Sequence, residues 1–67
     1  MKVFGEKLRE LRTEKGISAK KLADTLGVSD STVIRWENDV ISPSIESLCA
    51  LAKYFNVSAD YLLGLDD

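Results

Sequence analysis

Apolar residues recur along this chain at the spacing of short amphipathic helices, and the residues between them supply stops and starts. Phe4, Leu8 and Leu11 fall at i, i+4 and i+7, which predicts a first helix over Val3 to Lys15 with one buried stripe. Gly16 ends it. Ile17 and Leu22 flank Ser18 as a hydrophobic staple, so Ser18 caps a second helix over Ala19 to Leu26. Leu22 and Leu26 repeat at i, i+4 on that helix, and Val33 and Trp36 repeat at i, i+3 on a third, Asp30 to Glu37. Between them Gly27 suits the left-handed conformation that ends one helix, and Ser29 caps the next. Ala23 is small where two helices leaving a short turn approach most closely.

Past the third helix, Asn38 to Pro43 reads as a loop, because Val40-Ile41 is too short for a strand and runs into Ser-Pro-Ser. Ser44 caps a fourth helix whose apolar set, Ile45, Leu48, Leu51, Ala52 and Phe55, is expected in the core. Asn56 stands where a left-handed cap is needed. Ser58 then caps a short fifth helix, Ala59 to Leu63, with Asp60 favourably placed in its first turn. Val57, Tyr61, Leu62, Leu63 and Leu65 make this end strongly apolar. Either all of them pack internally, or part of the set remains outside as a self-association surface. No alternating strand pattern occurs, so the expected fold class is all-α.

Composition narrows the function classes. At 67 residues, 45% hydrophobic and 30% charged, the chain suits one small folded domain over 1–67. No run approaches the roughly 18 apolar residues of a membrane helix. Charges also interrupt the N-terminus where a signal peptide needs its apolar stretch, so a cytoplasmic protein with no membrane partner is expected. The single Cys49 cannot form an internal disulfide, and the lack of His leaves a zinc site almost without ligands. Four residues after Ile45, Cys49 is expected to pack as a small hydrophobe. With no Gly-rich phosphate loop or ligand cluster, no enzyme activity, cofactor or small-molecule site is expected.

Charge complicates the picture. The net charge is −2, yet the first 35 residues carry eight Lys/Arg against five Asp/Glu, and the rest carry Lys53 alone against six acids. A positive face on the first three helices and an acidic remainder are compatible with a nucleic-acid partner.

The stretch AKKLADTLGVSDSTVIRW, residues 19–36, holds the central bend. Together with Arg12, Gly16, Glu37, Pro43, Leu48, Ala52 and Val57-Ser58, it resembles the helix-turn-helix of the Cro and phage-repressor type, the xenobiotic-response-element family. The resemblance implies a compact five-helix, lambda-repressor-like domain from a bacterium or phage. Such a domain is a sequence-specific transcriptional regulator, a repressor in the main, placing its third helix in the major groove of a pseudo-palindromic operator as a homodimer. By the same resemblance, Arg12 pairs with Glu37.

With Val33 and Trp36 inward, Asp30, Ser31, Ile34 and Arg35 face outward to read bases. Arg35 suits O6 and N7 of guanine, Ile34 a thymine methyl, and Asp30 the N4 amine of cytosine. Ser29 and Thr32 are expected on phosphates, as are Ser18, Ala19 and Lys20 at the start of the second helix and Asn38 in the loop. The pattern does not orient Lys7, Arg9 or Lys21. Tyr61, Leu62, Leu63 and Leu65 form the expected dimer interface. The chain departs from the family in three places: Ala19 replaces a frequent Gln, Asp30 replaces a neutral or basic residue, and Asn38 to Ile41 lacks the usual Gly and basic residue. These departures keep open a second reading, a protein-interaction module that retains the scaffold.

Overall fold

The computed structural model describes residues 2–65, which form five helices: α1 (Lys2–Lys15), α2 (Ala19–Leu26), α3 (Asp30–Glu37), α4 (Ile45–Phe55) and α5 (Ala59–Leu63). No strand occurs among the described residues. Helix starts follow one rule four times over. Ser18, Ser29, Ser44 and Ser58 hold extended backbone and accept, through the side chain, the amides of Lys21, Thr32, Ser47 and Tyr61. Each bond satisfies one of the amides that a helix start leaves without a partner. Gly27 (φ 73°) and Asn56 (φ 56°) end α2 and α4 in the left-handed region.

The core draws on every helix. Phe4 and Leu8 of α1, Leu22 and Ala23 of α2, Val33 and Trp36 of α3, Leu51 of α4 and Leu62 of α5 are all buried. Ala23 is buried at the α2–α3 bend, where its single methyl lets the two helices close on each other. Leu11, Ile17, Leu26 and Val28 pack half-buried around this centre.

Contacts from α1 close the domain. The Gly5 amide donates to Asp39 Oδ1 at 3.2 Å, and a Cβ at Gly5 would collide with the Glu37 carbonyl oxygen and lie 2.6 Å from Asp39 Oδ2. Only a glycine lets α1 lie this close to the end of α3. At the other side, Val3 packs against Gly64, where an added Cβ would fall 2.6 Å from Val3 Cγ1. Lys7 lies over the Tyr61 ring at 4.4 Å, and Lys15 over the Tyr54 ring at 4.9 Å, stacking cations of α1 on aromatics of α5 and α4.

Two expectations for α4 and one for α5 are corrected. Ile45 is 81% exposed and Cys49 is exposed, so neither belongs to the core. At about 100° per residue, Leu48, Leu51, Ala52 and Phe55 share one stripe, while Ile45 lies roughly 70° and Cys49 roughly 110° away from its middle. Leu62, expected in a dimer interface, is fully buried in its own chain and offers a partner no surface.

Candidate nucleic-acid interface

The outward face of α3 is a row of polar and short apolar side chains on a rigid support. Val33 and Trp36 anchor its inner side in the core, leaving Asp30, Ser31, Ile34 and Arg35 exposed. Ile34 is 49% exposed and therefore available for an apolar contact. The Arg35 side chain makes no hydrogen bond or ion pair within the described residues, so its five donors are uncommitted. Asp30 behaves differently. Its Oδ1 accepts the Ser31 amide at 2.9 Å, which holds the carboxylate against the start of the helix, where the dipole favours it.

Three hydroxyls gather at the same end. Ser29 Oγ accepts the Thr32 amide at 3.2 Å and lies 2.8 Å from Thr32 Oγ1 and 3.1 Å from Ser31 Oγ. At the start of α2, Ser18 accepts the Lys21 amide at 3.0 Å, Ala19 is half-buried against the core, and Lys20 is exposed. The Lys20 ammonium lies 3.5 Å from Asp24 across one turn. Both ends of that pair are solvated, which leaves Lys20 free to exchange Asp24 for another anion.

At its other end α3 is tied to α1 through Glu37, the only charged residue buried among those described. Arg12 grips it in a two-pronged arrangement: Nε donates to Oε2 and Nη2 donates to Oε1 at 3.1 Å. The third arm, Nη1, donates to the Ile17 carbonyl at 2.9 Å, so one guanidinium joins α1, the α1–α2 turn and α3. The hydrogen bond to Glu37 raises the Arg12 pKa above its ordinary value, against the opposing effect of burial. Arg9 joins the same carboxylate more loosely, with Nε 3.4 Å from Glu37 Oε1, and donates from Nη2 to Asn38 Oδ1 at 2.8 Å. The hydrophobic pattern left Arg9 without an orientation. One signal in the sequence points to it: a spacing of three from Arg12 places both cations on one face of α1.

The residues expected at a dimer interface are unequally exposed. Tyr61 is half-buried beneath Lys7, Leu63 is half-buried, and only Leu65 stands out at 70% exposure. The other strongly exposed large apolar residues are Ile45 and Val40.

An α2–turn–α3 unit braced by three further helices, with an anchored inner face and an open polar outer face on α3, defines a helix-turn-helix domain of lambda-repressor-like fold. The helix-turn-helix family profile matches residues 8–62, and the chain belongs to that family. Its relatives include the transcriptional activator BcrR of Enterococcus faecalis, 42% identical over 60 residues, which cover 90% of this chain and 29% of BcrR. The transcriptional regulator ImmR of Bacillus subtilis is 35% identical over 64 residues, covering 96% of this chain and 50% of ImmR. The chain thus spans half or less of the length of either relative. Among solved structures, the P22 c2 repressor in complex with a synthetic operator superposes with a TM-score of 0.90 at 35% identity, covering 98% of this chain and all of that one.

Proposed function

We propose that residues 1–67 form a single DNA-binding domain of a transcriptional regulator, which places α3 in the major groove of a pseudo-palindromic operator as a homodimer. The observation that carries this reading is the superposition of nearly the whole chain on a repressor bound to its operator, at 35% identity. The open outer face of α3 supports it. In this reading Arg35 reads guanine, Ile34 a thymine methyl and Asp30 a cytosine amine, with Ser31 on a neighbouring base. Ser29, Thr32, Lys20, Asn38 and the first-turn amides at Ser18 and Ala19 hold phosphates and fix register. Repression is the mode we assign, although the relatives include an activator as well as repressors. A regulator of this kind works in the cytoplasm and needs no cofactor for binding.

Selection of bound sites from a random duplex pool tests the reading. The expected product is a two-fold symmetric pair of half-sites, each with a guanine whose preference disappears in Arg35→Ala while helicity is unchanged. That loss corresponds to about 1–3 kcal/mol of discrimination at one position. A folded wild-type protein that enriches no sequence and binds no duplex at low salt overturns the reading in favour of a protein-interaction module.

A further inference from the structure

We propose that Arg9 and Asn38 form a clamp for one phosphate of duplex DNA, built on Glu37 at the C-terminal end of α3; the inference rests on the DNA-binding reading above. The starting observation is an imbalance of charge. Glu37 carries one negative charge, and Arg12 already meets it with two hydrogen bonds from a side chain that is 17% exposed. Arg9 brings a second guanidinium to the same carboxylate with a side chain that is 53% exposed. Glu37 is thus met by two guanidinium groups, and the second, on Arg9, is held at the surface although Arg12 alone already pairs the buried carboxylate.

Geometry gives that charge a direction. Arg9 does not bond the last carbonyls of α3, as a cation placed only to complement a helix end would; its partners are the side chains of Glu37 and Asn38. Holding Asn38 Oδ1 at 2.8 Å fixes the carboxamide with its acceptor turned toward α1. The Asn38 Nδ2 donors and the Arg9 Nη1 donors have no partner within the described residues. The open side of the pair is thus donor-only, which matches phosphate oxygens and not the mixed edge of a base. The neighbouring carboxylate of Asp39 is directed to the Gly5 amide. Asn38 follows Arg35 by less than one helical turn, about 5 Å along the axis, so a clamp here grips the backbone beside the base that Arg35 reads.

Anisotropy titrations of the selected operator and of an unrelated duplex, over a series of salt concentrations, test the clamp with Arg9→Gln, Arg9→Lys, Asn38→Ala and the Arg9→Gln/Asn38→Ala double variant. Arg9→Gln is expected to weaken binding to both duplexes alike, by roughly tenfold, and to lower the salt slope by about one per copy bound. Arg9→Lys is expected to keep the slope and lose affinity, because an ammonium cannot hold Asn38 and a phosphate in one planar fork. The double variant should lose less than the two single losses combined, since Arg9 orients the carboxamide that Asn38 offers to the phosphate. Folded Arg9→Gln with unchanged affinity and slope overturns the clamp and leaves the DNA reading standing. If Arg9→Gln fails to fold, unchanged affinity in Arg9→Lys overturns it equally. A wild type that binds no duplex removes both.

Discussion

At the scale of single residues, Glu37 governs both stability and the proposed site. A buried carboxylate is tolerated only with partners, and Arg12 is the one that matters, because it approaches from α1 with two prongs and ties in the Ile17 carbonyl as well. Arg12→Met strands the charge, with only the looser Arg9 contact left, and is expected to cost about 3–5 kcal/mol. The double variant Arg12→Met/Glu37→Leu should recover most of that loss, because two apolar side chains need no desolvated partner. Urea denaturation of the two variants and the wild type measures the difference; equal losses in both would show that packing, not charge, sets the cost. The sign of the pH dependence follows from the raised Arg12 pKa. Its contribution is complete below the ordinary arginine range and is lost only as pH rises above it, so neutral pH leaves the pair intact.

At the scale of elements, the repeated serine caps make the helices legible in the sequence. Ser18, Ser29, Ser44 and Ser58 each stand one residue before a helix that begins where the pattern places it, because capping depends on neighbours three positions away. Ser44→Ala and Ser58→Ala should each cost about 1 kcal/mol, or about 4–8 °C in Tm, and should add, since they serve different helices. Thermal melts followed by circular dichroism check this; a double variant no worse than either single would show that the ends of α4 and α5 fold as one unit. What the pattern misassigned also has a local cause. Ile45 and Cys49 are apolar residues at the rim of the α4 stripe, and hydrophobicity alone does not say how wide a stripe the neighbouring helices cover. The outward row on α3 was legible for the opposite reason, since Val33 and Trp36 fix the inner side of so short a helix. The link from Arg9 to Asn38 spans 29 positions between exposed side chains, and no local pattern encodes it.

At the scale of the whole molecule, the excess of cations in the first half of the chain does not translate into an equally free positive surface. Lys7 and Lys15 are stacked on tyrosines and Arg12 is committed to Glu37, while Lys20 holds Asp24 only through a solvated, exchangeable pair. In the DNA-binding reading proposed above, grip on the backbone falls to few groups, and two joined copies on one operator would hold more effectively than one. The packing of Val3 against Gly64 has a topological consequence. These residues sit side by side although almost the entire chain lies between them, so folding must close a loop of roughly 60 residues whose entropy opposes the docking of α1 on α5. Joining residue 2 to residue 65 through a short Gly-Ser linker would remove that freedom from the unfolded chain, and the expected gain is about 4 kcal/mol, read as a higher Tm for the circular form than for the linear chain carrying the same linker. An unchanged Tm would mean that the ends already keep company in the unfolded state, and that this small domain is closed as a ring before it is folded as a globule.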